Sequence, residues 1–240
     1  MKQKSIMKHA RILLAAVVVI LGLTLIPANS FSANPNPKVF PPHSVAYGMT
    51  YGEWSARWWQ WAVSMPLDHN PLADTADCST GQLGPVWFLG GSFAVAPPIG
   101  PRKCNVPPGK ALFFPIVDVD CSSLEFGDFY GGTPEERRAC AKGIIDGTTV
   151  GGPITDLATE IDGVSLGDLT IYRAPSPDFH FVAPDNNLLG VPGGSGEMAA
   201  DGYYLLLAPL PPGQHTIHFN GTFFLWNATV EETYVLTVKR

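Results

Sequence analysis

The sequence predicts a mainly β protein, a single β-sandwich-like domain with an N-terminal Trp-rich helix and a short disulfide-pinned helix. Seven short β-prone runs are separated by Pro, Gly, Asn and Asp, which is typical of strands joined by turns. Four of the six tryptophans lie within residues 54–61 and follow a helical period. Four cysteines complete the pattern and indicate two disulfide bonds.

The first residues of the chain are typical of a signal peptide. Four basic residues precede an uncharged apolar run at 12–26, and small residues follow. This run is shorter than the roughly twenty residues that a membrane-spanning helix needs, which disfavours an uncleaved anchor. Cleavage after Ser30 or Ala33 fits the small-residue rule, and we favour Ala33. The prediction is a signal peptide at 1–33 and one mature domain at 34–240.

The net charge of the chain and its predicted signal peptide limit where the protein is located and which partners it binds. Loss of the four leading cations changes the formal net charge from −6 to −10. An acidic protein repels nucleic acid and anionic membranes, so neither is expected as a partner. We expect a secreted or periplasmic protein without a stable membrane anchor.

The Trp-rich helix is well specified. Thr50 and Glu53 have the spacing of a capping box, and Pro66 stops the helix. One arc of the helix is apolar, and only Trp59 and Val63 are predicted on its far side. The arc comprises Tyr51, Trp54, Trp58, Trp61, Ala62 and Met65.

The remaining elements are mostly strands. They are predicted at 86–89, 111–117, 169–173, 179–182, 203–207, 215–219 and 233–238. The last three are expected to form a meander. The intervening segment 184–200 has no periodic pattern and is predicted as a mobile loop.

The cysteines are predicted to pair in sequence order, as Cys78–Cys104 and Cys121–Cys140, although three pairings are possible. The second bond would pin a short helix with Thr133 as its cap and Pro134 at its first position. A four-cysteine metal site is disfavoured because no close Cys-x-x-Cys pair occurs.

Four motifs together resemble a group of exported bacterial proteins. They are YGEWSARWWQW at 51–61, GPVWFL at 84–89, GKALFFPI at 109–116 and the run from DGYY at 201–204 to PPGQHTI at 211–217. The resemblance covers nearly the whole mature chain. It implies one exported domain and supplies no reaction, ligand or catalytic residue.

No catalytic residue is predicted. Ser165 lies in a Gly-x-Ser-x-Gly run, but this nucleophile motif requires a following helix, whereas the flanking residues predict a hairpin. His215 and His218 are three residues apart, so a regular strand sends them to opposite faces. They are expected to be one packed and one surface histidine. His180 is no stronger a catalytic candidate than these two.

The acidic segment at 118–125 is a candidate metal site. Asp118, Asp120 and Glu125 follow a predicted strand and have the composition of a calcium loop, but the ordered ligands of an EF-hand are missing. Calcium is therefore the one cofactor considered, against a solvated acidic turn. A carboxylate pair would also suit glycoside hydrolysis, which requires a separation that the sequence does not report.

Aromatic side chains offer a weak binding surface. Trp59, Trp87, Tyr130 and Trp226 are the candidates for stacking on sugar rings. Core packing is the competing interpretation, because each tryptophan buries on the order of 200 Å².

Three functions remain open. The first is a non-catalytic exported module that binds a glycan, another small ligand or a surface protein. The second is an exported hydrolase with a site assembled from loops, and the third is a structural envelope protein without a pocket. An enzyme should show converging carboxylates in a cleft, and a binding module should show aromatic side chains on a concave face.

Overall fold

The computed structural model describes residues 38–72, 77–91 and 100–240, and the predicted signal peptide at 1–33 lies outside these ranges. The elements run α1 (Tyr51–Val63), β1 (Val86–Phe88), β2 (Arg102–Val106), β3 (Ala111–Ser122), α2 (Pro134–Asp146), β4 (Ile154–Ile161), β5 (Val164–Ser165), β6 (Phe179–Ala183), β7 (Gly194–Leu207), β8 (Gly213–Phe223) and β9 (Ala228–Val238). None of these helices is long and apolar enough to cross a membrane.

The strands form two sheets that pack face to face, as predicted. One sheet has the order β1-β3-β7-β6 and the other the order β2-β9-β8-β4-β5. Alternate residues of β3, such as Phe114, pack against the second sheet, where Phe219 stacks on Phe114 at 5.1 Å between ring centroids. The other face of the first sheet contacts α1, so a helix and two sheets form three successive layers.

Helix α1 is buried as predicted, and on both sides. The capping box of Thr50 and Glu53 is present. Trp58 is 2% exposed and its indole N–H donates to the Leu89 carbonyl at 2.8 Å. Trp59, predicted on the far side of the apolar arc, is equally buried, and its ring packs edge-on against Trp58 at 5.2 Å between centroids.

The predicted disulfides are confirmed. Cys121–Cys140 joins β3 to α2, and Cys78–Cys104 joins the loop before β1 to β2. None of the four cysteines is free. Helix α2 begins at the predicted cap, Thr133, with a complete capping box. Bonds of this kind form in an oxidising compartment such as the periplasm or the extracellular space.

The strand predicted at 169–173 is wrong, because Thr170–Tyr172 forms a single 3₁₀ turn. The Asp168 carboxylate accepts hydrogen bonds from the backbone N–H and the hydroxyl of Thr170 at 2.9 and 2.6 Å. This local side-chain bonding starts a turn and competes with pairing in a sheet.

The mobile loop predicted at 184–200 is wrong for its second half, because β7 begins at Gly194. There it pairs with β6, with Gly196 opposite Phe181. A Cβ at Gly196 would lie 2.9 Å from the Phe181 ring, so this position requires the close approach that glycine permits. Gly196, which makes this segment look like a loop in the sequence, is therefore part of the packing of the strand.

The predicted C-terminal meander is also wrong. Strands β8 and β9 form a hairpin, but β7 belongs to the other sheet. Prolines at 209, 211 and 212 separate β7 from β8. Proline cannot donate to a strand ladder, so the chain leaves the first sheet and crosses to the second. Strands β2, β4 and β5 were not predicted.

Candidate functional site

An open strand edge creates the candidate site. Strand β1 pairs in parallel with only Ala111–Phe113 at the start of β3. Along the rest of β3, no strand among the described residues pairs with that edge. A register irregularity between Pro115 and Val117 then changes which residues face α1. After it, Val117 and Val119 belong to a buried cluster that includes residues of α2, whereas the Asp118 side chain contacts Tyr204 of β7.

A cavity of about 420 Å³ lies beside this open edge. Helix α1, strand β3, the segment after β3 and the hairpin of β8 and β9 contribute to its walls. Five aromatic residues form much of the wall: Trp58, Trp59, Phe129, Phe223 and Trp226. Three acidic residues line it as well, namely Asp118, Asp120 and Glu125. We call this space, defined by those eight residues, the acidic cavity.

Asp118 faces the cavity and contacts β7. The Tyr204 hydroxyl donates to its Oδ2 at 3.2 Å. Burial raises the pKa of Asp118 to about 7, against the smaller lowering effects of Tyr204 and the nearby Trp59 indole. A pKa in this range suits a group that exchanges protons near neutral pH.

Asp120 and Glu125 form a neighbouring pair. Asp120 is 4% exposed, and burial followed by the adjacent Glu125 carboxyl raises its pKa well above the ordinary range. Burial also raises the pKa of Glu125, while hydrogen bonds from Asp120 and Ser122 act in the opposite direction. Like charges this close oppose ionisation of both groups, so the pair favours the form that shares one proton.

Three buried polar atoms in the cavity lack a hydrogen-bond partner. They are the Trp59 indole Nε1, one oxygen of Asp120 and one oxygen of Glu125. The Trp59 indole is close enough to lower the pKa of Asp118, but its N–H does not meet the geometric criteria of a hydrogen bond. Unpartnered buried polar groups cost about 1–3 kcal/mol each. Their convergence in one cavity is the usual property of a binding site and not of a core.

The aromatic wall reaches the surface at Trp226. Its ring packs against Phe223 at 4.9 Å and against Phe129 at 5.9 Å between centroids. Trp226 is 38% exposed, and the adjacent Phe224 and Leu225 are also exposed. The end of the β8–β9 hairpin therefore presents apolar side chains beside the mouth of the cavity.

The structure brings together five of the seven residues predicted as binding or metal sites. Asp118, Asp120, Glu125, Trp59 and Trp226 all line the acidic cavity. The other two lie elsewhere. Trp87 is buried between the sheets, with its indole N–H unpartnered, and Tyr130 is exposed outside the cavity lining.

The histidines and the serine motif stay outside the cavity. His215 is buried and contacts Asp162 at 2.7 Å and the Pro211 carbonyl at 2.8 Å, as expected for a packed histidine. His218 is partly exposed and contacts Thr233. Ser165 is exposed on β5, within a β4–β5 hairpin, which is not the strand-to-helix turn of a hydrolase nucleophile.

A metal centre is not evident from the donor arrangement. Within the described ranges, no group of three or more Asp, Glu, His or Cys side chains is placed to hold one metal ion. Calcium binding at Asp118, Asp120 and Glu125 stays a prediction.

Sequence reasoning missed Tyr204, Phe129 and Phe223 as parts of the site. The sequence places Tyr204 on a strand and nothing more, because its contact with Asp118 depends on the pairing of β7 with β3, in which Tyr204 lies opposite Pro115. The one usable signal was the pattern Asp118-x-Asp120, because alternate residues of a strand share a face.

Comparison of the chain with protein-family models, curated proteins and solved structures finds no match.

Proposed function

We propose that this protein is exported and binds a small organic molecule in the acidic cavity. The observation that carries the proposal is Asp120, which is 4% exposed, lacks a partner for one oxygen and lines an aromatic-walled cavity. A protein that needed only stability would gain from an apolar side chain there, because a buried polar group without a partner is costly. A ligand that supplies the missing partner removes this cost.

Export is supported by the amino-terminal sequence and by the two disulfides. The basic start and apolar run are typical of a signal peptide, and structural disulfides persist outside the cytosol. We therefore propose that the mature protein, 34–240, acts in the periplasm or outside the cell.

The wall chemistry favours a mainly apolar ligand over a sugar bound inside the cavity. Besides the three acids, Thr229 is the other polar lining residue among those described. A sugar carries several hydroxyls, and each buried hydroxyl needs a hydrogen-bond partner. Glycan binding fits the exposed Trp226 better than it fits the interior.

A hydrolase is the second candidate, and the Asp120–Glu125 pair favours it. Two carboxyls that share a proton can supply a general acid and a general base. The raised pKa of Asp120 keeps it able to donate a proton at neutral pH. An enzyme of this kind should lose at least about a hundredfold in rate on Asp120→Asn, since general acid–base catalysis contributes that much.

The binding proposal is tested by filling the cavity. Ala228 lines it, so Ala228→Phe should block a ligand, whereas Ala158→Phe changes an exposed strand residue outside the lining. Calorimetric titration with neutral aromatic alcohols should show binding to the wild type and to Ala158→Phe. Ala228→Phe should bind at least about tenfold more weakly.

Equal affinity in Ala228→Phe and Ala158→Phe would contradict the proposal, as would a lack of wild-type binding to every small aromatic ligand titrated, neutral or charged. Oligosaccharides are titrated in parallel. If they bind and Ala228→Phe leaves their affinity unchanged, the ligand lies outside the cavity and the proposal is wrong.

A further inference from the structure

We propose that the ligand of the acidic cavity is an organic cation, an amine whose ammonium group lies between Asp120 and Glu125 and whose apolar body lies on the aromatic wall. This inference rests on the proposed function and adds the chemical class of the ligand. Three independent features of the cavity carry it: charge, hydrogen-bond capacity and wall composition.

The charge of the lining has one sign. Asp118, Asp120 and Glu125 contribute carboxyl groups, and the described lining residues include no Lys, Arg or His. The Asp120–Glu125 pair, which shares one proton, still carries one negative charge, and no cationic side chain of the described lining balances it. Where water is excluded, that charge attracts a cation and repels a ligand carboxylate. A cationic ligand therefore fits this lining, and an anionic ligand does not.

The hydrogen-bond capacity also fits an ammonium group. An ammonium has three N–H donors and no acceptor, and an ionised carboxylate only accepts. Asp120 and Glu125 each present one oxygen that has no other partner. A bound ammonium would displace the proton that the pair shares, which passes to water, and would donate to both oxygens in charge-assisted hydrogen bonds, which are the stronger kind. An alcohol has one O–H and would satisfy only one.

The aromatic wall suits both parts of such a ligand. Trp58, Trp59 and Trp226 present indole rings to the same space as the acids. A cation is attracted to the face of a tryptophan ring, and an apolar body gains from burial against the rings. A hydrated metal ion would make no use of this wall, so an organic cation fits better than calcium.

Three ligands of the same shape test the class: 2-phenylethylamine, 2-phenylethanol and phenylacetate. At neutral pH they are cationic, neutral and anionic. Calorimetric titration of the wild-type mature protein should show the amine binding at least about tenfold more tightly than the alcohol, because hydrogen bonds between charged groups are stronger than those of a neutral hydroxyl. Phenylacetate should bind more weakly than the alcohol.

Variants then locate the charge. Glu125→Gln should weaken amine binding at least about tenfold and leave alcohol binding nearly unchanged. Glu160→Gln alters an exposed strand residue outside the cavity lining and should change neither affinity. Asp120→Asn serves as a second variant if Glu125→Gln fails to fold, which circular dichroism would show.

The outcomes separate the ligand class from the binding function. If the alcohol binds as tightly as the amine, or if phenylacetate binds best, the cationic ligand is wrong and the binding function stands. If none of the three binds, both are wrong. Competitive displacement of the amine by millimolar calcium would instead identify a metal site and overturn the organic cation.

Discussion

Asp118 and Asp120 are buried in positions that disfavour a charged carboxyl group. Desolvation raises the pKa of both, which means that the folded state holds protons that the unfolded chain releases at the same pH. The free energy lost by burying these acids must be offset by packing elsewhere in the fold. Such local conflict between stability and chemistry is typical of functional sites.

The Asp118 carboxyl should make stability pH-dependent. Its pKa is raised from about 3.8 to about 7, so its stabilising effect is present below pH 4 and is lost as the pH rises towards 7. Each pKa unit corresponds to about 1.4 kcal/mol. In urea denaturation, Asp118→Asn should therefore lose less stability than the wild type between pH 4 and pH 7.5. Parallel pH profiles of the two proteins would contradict this assignment.

Trp58 should contribute far more to stability than Trp226. Trp58 is 2% exposed and donates a hydrogen bond to Leu89, so Trp58→Ala should cost about 3–5 kcal/mol in the free energy of unfolding. Trp226 is 38% exposed, and Trp226→Ala should cost about 1 kcal/mol. Chemical denaturation of both variants measures the difference. Similar losses would mean that the helix does not anchor the core.

At the level of elements, helix α2 shows how local signals act together. Thr133 and Glu136 form a capping box, Pro134 occupies the first turn, and Gly147 ends the helix with φ 69°. A left-handed backbone conformation at the end of a helix favours glycine. The Cys121–Cys140 bond then holds the helix on β3.

The cap of α2 can be tested with two substitutions. Thr133→Ala removes the hydroxyl that accepts the Glu136 backbone N–H, and it should lower the free energy of unfolding by about 1 kcal/mol. Thr133→Ser keeps the hydroxyl and should stay within a few tenths of a kcal/mol of the wild type. Thermal unfolding distinguishes the two. An equal loss in both variants would show that the methyl group matters and the cap does not.

Local sequence patterns predicted those elements whose capping residues and hydrophobic periodicity agree with the packing in the folded protein. Both helices and the two disulfides follow from caps, periodicity and cysteine order. The 3₁₀ turn at Thr170–Tyr172 was missed because the single carboxylate of Asp168 outweighs a β-prone sequence. The start of β7 was missed because Gly196 is selected by contact with Phe181, which lies on another strand.

At the scale of the whole molecule, the candidate site depends on contacts that no local pattern encodes. Five of its residues were singled out in the sequence as two separate sets, acids and aromatics. They meet because β1 pairs with only three residues of β3, which leaves an edge beside which α1 and the β8–β9 hairpin enclose the cavity. Strand lengths and pairing partners are long-range properties, so the cavity itself could not be predicted.

The two disulfides make a prediction for the entire mature chain. Thiol titration in denaturant without reductant should detect no free thiol, because all four cysteines are paired. Treatment with reductant should release four. A single reactive thiol before reduction would contradict the pairing, and with it the proposed oxidising location.

Ligand binding in the acidic cavity can be followed through the indole N–H signals of the six tryptophans. In ¹H–¹⁵N spectra of the mature protein, added 2-phenylethylamine should shift the signals of Trp59 and Trp226, which line the cavity. The signal of Trp87, which lies between the sheets, should stay in place. Assignment by single Trp→Phe variants identifies each signal. Unchanged Trp59 and Trp226 signals at saturating amine, or an equal shift of the Trp87 signal, would show that the amine does not bind specifically in the acidic cavity.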